Sequence, residues 1–267
     1  MNTPIDVWNT GTFDNEMMSK LHDNAQLIRD YLTTDRRLFE EREASDHRMP
    51  HATNPYGQRY MTFVEDFGRE FMPTRTIRAW HYTRLLDAEV DIIRKIGLYP
   101  STLETLRHRQ QALVDAGILT AADRDALYEA SPFHQQESSR SGRFWMVSEP
   151  VATDDTGIEL LLGHWGGEAT YFWQRDERLV QLVAGIGQPR ILEVAVPIAK
   201  TREWYSAGKA AVAAYARTLG CRPDRETFGL YSMTALGPEM VMAIHTAGDE
   251  AYEKMAHGYP AGFVLDR

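Results

Sequence analysis

Thr76-Ile77-Arg78-Ala79-Trp80-His81-Tyr82-Thr83-Arg84-Leu85, then Asp87 to Ile96 and Gly97-Leu98, is the stretch on which the fold turns. Thr76 to Tyr82 mixes β-branched and aromatic residues, which predicts a strand. Asp87 to Ile96 opens acidic and carries Ile92 and Ile93, which predicts a helix closed by Gly97. Working outward towards the N-terminus, Met17, Leu21, Leu27, Ile28, Tyr31 and Leu32 recur at three-to-four spacing, so 14–45 reads as an amphipathic helix that needs a partner surface. Pro50 and Pro55 mark 46–56 as a loop, and a shorter apolar run, Met61 to Phe71, ends at Pro73.

Towards the C-terminus two further helices are expected at 101–115 and 120–129. The second is opened by Thr120, with Asp123 as its reciprocal capping partner. Strands are expected at 143–148, 168–173 and 190–196, an alanine-rich helix at 201–219, and a last strand pair at 227–233 and 239–245 joined through Gly237-Pro238. Helices dominate the first half and strands gather after residue 140, without the regular alternation of a doubly wound sheet. The expected class is therefore α+β, with a helical segment over 1–73 and an α+β domain over 74–267.

The 267 residues carry 29 Lys+Arg against 38 Asp+Glu, a net charge of −9, which disfavours a protein that coats polyanions but leaves room for one local basic groove. One cysteine, Cys221, excludes an internal disulfide framework and a multi-cysteine zinc site. The first residues lack a basic-then-apolar signal, and no stretch approaches about twenty uninterrupted apolar residues, so the expected compartment is the cytoplasm, with no membrane partner.

Three familiar patterns fail on physical grounds. Gly185-Ile186-Gly187 lacks a third glycine and runs into a strand, where phosphate binding needs a helix N-terminus. His47 and His51 have helical metal-ligand spacing, but Pro50 between them interrupts one helix face, and no metal is expected. The helix pair at 101–129 has the shape of a DNA-reading motif, yet its second helix carries three acids against one arginine.

A strand ending in His81-Tyr82-Thr83, then a helix closing on Gly97-Leu98, resembles the first strand and helix of the ADP-ribosyltransferase superfamily, in its His-Tyr-Glu branch. That branch includes the poly-ADP-ribose polymerases and the DarT-type DNA-modifying toxins. The resemblance covers about residues 76–245 and is specific over only some twenty of them. It implies a split mixed sheet with flanking helices and NAD as substrate. His81 would hold the nicotinamide-side ribose, the Tyr82 backbone would grip the carboxamide, and Thr83 matches the small polar position. A second-strand aromatic, Phe144 or Trp145, would stack on nicotinamide; alternation allows only one of them to face the pocket, and no tyrosine stands there, which departs from the family. The late glutamate is matched by Glu239, expected to open an apolar strand next to the His81 strand, with Glu193 as its rival.

These residue types suit the chemistry on its own terms. Breaking a ribosyl–nicotinamide bond passes through an oxocarbenium-like state, which a carboxylate stabilises. A neutral imidazole both donates and accepts, matching a ribose diol, and Arg84, Arg140 or Arg143 would supply bidentate contacts to the diphosphate. The acceptor stays open among a nucleic-acid base, a protein side chain and water. A non-catalytic nucleotide-binding module of the same fold stays open too, because a histidine on an aromatic strand also serves as a core residue. Trp165 and Glu168, among three glycines, read either as a close approach to ligand or as a tight turn.

Overall fold

The computed structural model describes residues 3–44 and 52–258; His47, His51 and most of the expected 46–56 loop lie outside them. The described chain divides into two compact units, one of 3–78 with Pro197–Phe228 and one of Ala79–Val196 with 229–258. The expected boundary at 73/74 falls inside the first unit.

The first unit is helical: α1 (Asn15–Asp23), α2 (Ala25–Ala44) and α3 (Gly57–Phe71), with a later helix from the far side of the sequence. Asp14 caps α1 by accepting from Met17 N at 2.9 Å, and the single helix expected over 14–45 breaks at Asn24, whose side chain bonds Lys20 O. The first unit ends where the second begins, within β1 (Thr76–Leu85), which extends past the expected Tyr82.

The second unit contains α4 (Asp87–Ile96), α5 (Leu103–Asp115), α6 (Ala121–Glu129), the single turn α7 (Glu137–Arg140), β2 (Phe144–Val147), α8 (Thr156–Gly163), α9 (Glu168–Tyr171), α10 (Glu177–Ala184) and β3 (Gln188–Pro197). After α11 (Trp204–Thr218), which belongs to the first unit, come β4 (Gly229–Ser232), β5 (Val241–Thr246) and α12 (Glu250–Ala256). The expected α+β class is what forms. The strands make one five-stranded sheet in the order β4-β2-β1-β3-β5, with β1–β2, β2–β4 and β3–β5 antiparallel. Ile198 N donates to Arg75 O at one end of the β1–β3 pair and Gly187 abuts Leu85 at the other, so that pair is antiparallel as well. The five strands are thus antiparallel where a split mixed sheet was expected, and Ile5 makes an isolated parallel bridge to Ile77.

Two strand expectations are corrected. Residues 168–171 form a short helix: Gly167, at φ +56, turns the chain before it, and Thr170 Oγ1 bonds back to Gly167 O and Trp165 O. The β-prone residues there serve a buried turn and not a ladder. β4 and β5 do not pair with each other but occupy opposite edges of the sheet. Among the described residues no helix is long and apolar enough to cross a membrane.

In the first unit α3 buries Tyr60, Phe63, Val64, Phe67 and Phe71 on one face, and α11 is buried almost all round because alanines let it sit close. A Cβ on Gly208 would fall 2.5 Å from Gly68 Cα, so the two backbones meet where neither residue has a side chain. Gly208→Val is expected to destabilise the chain by about 1–3 kcal/mol through overpacking, seen as a lowered thermal midpoint. An unchanged midpoint would show that the crossing yields freely.

Candidate functional site

β1 carries His81 into the middle of the sheet, with β2 and β3 on either side. The imidazole is half-buried. Its Nδ1 lies 2.7 Å from Trp145 O, and its ring packs on Phe144 with centroids 4.4 Å apart. A carbonyl oxygen only accepts, so Nδ1 carries the proton and Nε2 presents a lone pair. Burial opposes a charged ring more strongly than the Trp145 carbonyl favours it, and the positive charge of Arg109 adds to that opposition. His81 is pushed down to about 4. At neutral pH it is an uncharged ring with one nitrogen engaged and one acceptor with no hydrogen bond among the described residues.

Strand alternation sorts the neighbours. Phe144 shares the face of His81; Trp145 points the other way, where it packs on Tyr231 at 4.7 Å. Thr83 is half-buried on the His81 face. Tyr82 points to the opposite face, and its hydroxyl donates to Val151 O at 3.0 Å and accepts from Val151 N at 2.7 Å, which ties the segment after β2 to β1. Burial raises this phenol well above its ordinary range.

The arginines expected at a diphosphate are held elsewhere. Arg84, on the Tyr82 face, donates from Nε to Ile186 O at 2.8 Å and from Nη1 to Leu162 O. Arg143 donates to Ser139 O and Ser138 O and stacks on Tyr231. Arg140 pairs with Glu168 and Gln136 and lies over Phe172 at 4.5 Å.

Glu239 lies in a 3-10 turn, Pro238–Met240, and not in a strand, and the β5 strand that follows is separated from β1 by β3. The expected placement of Glu239 on a strand beside His81 is therefore not what forms. Its location has a physical reason. Gly97, at φ +85, ends α4 so close to the preceding segment that a Cβ would sit 2.1 Å from Leu236 O, and Leu98 and Leu236 exchange both backbone hydrogen bonds at 2.8 and 2.9 Å. The Gly97-Leu98 motif thus holds the segment leading into Glu239. The Glu239 carboxylate is exposed, with no ion pair among the described residues. Glu193 is buried and accepts from His245 Nε2 at 2.6 Å across the β3–β5 pair.

One cluster was missed by sequence reasoning. Glu89 Oε2 accepts from Leu86 N at 3.0 Å and from Trp165 Nε1 at 2.8 Å, while Oε1 accepts from Arg109 Nε at 2.8 Å. The Arg109 guanidinium lies over the Trp165 ring at 4.8 Å, and Trp165 is fully buried. Gly166 and Gly167 both take positive φ, and a Cβ on Gly166 would meet Thr170 at 2.5 Å. Of the two meanings open for this glycine cluster, the observed one is a tight turn, here leading into a helix. Its only sequence signals were a tryptophan among glycines and a glutamate three residues after a helix start.

Comparison of the chain with protein-family models, curated proteins and solved structures returned no match. The site therefore stands on its own geometry.

Because the fold lowers the proton affinity of His81 from 6.5, the unfolded chain takes up the proton first as pH falls. His81 contributes stability above about pH 6.5 that is lost on descending to about pH 4. An NMR titration of its ring proton is expected to show a midpoint near 4; a midpoint near 6.5 would contradict the assigned environment.

Proposed function

We propose that the protein is an NAD-consuming ADP-ribosyltransferase that transfers ADP-ribose to a macromolecular acceptor and releases nicotinamide. The observation that carries this is His81: a neutral imidazole on the central strand, its tautomer fixed by Trp145 O, its ring against Phe144 and its Nε2 unengaged. Such a group accepts a hydrogen bond from a ribose hydroxyl without adding a positive charge to a site where positive charge develops on the sugar. Phe144 supplies an aromatic ring on the same face, where the flat nicotinamide would lie. Glu239, exposed, without an ion pair among the described residues and brought to the end of α4 by the Leu98–Leu236 pairing, is the carboxylate that would stabilise the oxocarbenium-like state and orient the acceptor. Glu193, committed to His245, is less suited. NAD would be a substrate rather than a resident cofactor, and the chemistry requires no metal. The DarT-type resemblance favours a nucleic-acid acceptor, and the net charge of −9 favours a protein or small one.

The decisive experiment incubates purified protein with nicotinamide-labelled NAD, with and without cell lysate. Release only with lysate means transfer, and release without it means NAD hydrolysis. No release in either arm, with no NAD-dependent rise in the thermal midpoint, would leave a binding module of the same fold. Where release occurs, Glu239→Gln is expected to keep NAD affinity and lower turnover on the order of a hundredfold, because the lost interaction belongs mainly to the transition state. Glu193→Gln should leave turnover near wild type; the reverse pattern would move the carboxylate role to Glu193.

A further inference from the structure

A cleft of about 580 Å³ lies in the second unit between the end of α6 and the turn that follows α9, and no residue of the sheet lines it. One wall is Glu129, the last residue of α6, with Ala130 behind it; Ser131 Oγ then accepts from Phe133 N and turns the chain sharply away. The other wall runs from Phe172 to Arg175. Gln174 N donates to Tyr171 O at 3.1 Å and Gln174 Oε1 accepts from Asp176 N at 2.9 Å, so short-range bonds fix this wall as well. Gln174 Nε2 is buried with no hydrogen-bond partner, a cost that an acceptor drawn into the cleft would offset. The walls carry opposite charge. Glu129 is exposed, with no hydrogen bond or ion pair among the described residues, and the carbonyl end of α6 adds partial negative charge beside it. Arg175 is exposed and makes no hydrogen bond or ion pair among the described residues either, so the two line one cleft without pairing with each other. Arg140 differs: it lies over Phe172 but is bound to Glu168 and Gln136. Between the charges Phe172 is exposed and Trp173 stands next to it, their ring centroids 6.4 Å apart.

We propose that this cleft binds a short zwitterionic peptide by its two termini, with an aromatic side chain of the peptide against Trp173 and Phe172. The terminal ammonium meets Glu129 and the carbonyl end of α6, and the terminal carboxylate takes a forked contact from Arg175. Opposite charges on facing walls suit a ligand whose own charges sit at its ends, and each charge then replaces water with a partner of the other sign. A volume of about 580 Å³ falls within the roughly 300–1,000 Å³ of pockets that hold drug-sized ligands, which favours a peptide of two or three residues over a single amino acid. A nucleotide is the poorer fit: Arg175 is the one basic residue among the described residues lining the cleft, and Glu129 with the α6 end repels phosphate. The site does not depend on the NAD reading.

The test is calorimetry on the full-length protein with alanyl-phenylalanine, its N-acetylated and C-amidated forms, and adenosine monophosphate as probes. Wild type is expected to bind the free dipeptide, and blocking either terminus should weaken it about tenfold or more, as loss of a charge-assisted contact implies. Glu129→Gln should weaken the free dipeptide by a similar factor and leave the N-acetylated form unchanged. Arg175→Gln should do the same for the C-amidated form. Both side chains are exposed, so both variants should keep the wild-type melting temperature. No binding of the dipeptide at millimolar concentration overturns the proposal, as does binding indifferent to the blocking groups or to both substitutions. Adenosine monophosphate bound with the dipeptide refused overturns it in favour of a nucleotide site.

Discussion

The carboxylate of Glu89 is the constraint from which the second unit's candidate site is built. One oxygen accepts from the backbone N–H of Leu86, just before α4, and from the indole of Trp165, and the other holds Arg109 of α5. Three segments far apart in sequence are thereby fixed against the end of β1, four residues beyond His81. The side chain is largely removed from water, so each bond it makes is strengthened and each one lost leaves a buried partner uncompensated. Trp165 cannot leave its place without breaking the Glu89 bond, and the left-handed glycines that follow it set the start of α9. Arg109 in turn projects a positive field towards His81 that helps keep the imidazole uncharged.

An uncharged histidine with a fixed tautomer is a specific chemical instrument. The donor is committed to Trp145 O, which leaves a lone pair for a hydroxyl and nothing for a second acceptor. His81 lies on the central strand, with β2 and β3 as its neighbours. The candidate carboxylate is positioned by a separate device: the helix end at Gly97 approaches Leu236 and Gly237 so closely that only glycine fits. The histidine strand and the Gly-Leu helix end therefore position different residues, His81 in the middle of the sheet and the segment leading into Glu239 at the end of α4.

Local signals were read well where one element suffices to decide. The cap at Thr120 and the stop at Gly97 are short-range chemistry, and α4, α6 and β3 form close to where capping and β-propensity place them. The residues at 168–173 misled because β propensity describes a half-buried surface, and a buried turn beside Trp165 is also half-buried. Helices α8, α10 and α12 are short, and their apolar residues pack against partners that sequence periodicity does not reveal. The separation of β4 and β5 to opposite edges depends on which strands fill the middle of the sheet, a non-local choice. Of the site, His81 and the Phe144–Trp145 alternation were legible. The Glu89–Arg109–Trp165 cluster was not, because its members are brought together from 20 and 76 residues apart.

The most direct measurement is a crystal structure of the protein soaked or co-crystallised with ADP-ribose. A ribose hydroxyl is expected within about 2.6–3.2 Å of His81 Nε2. Ligand bound on the Tyr82 face of the sheet, or away from His81 altogether, would contradict it.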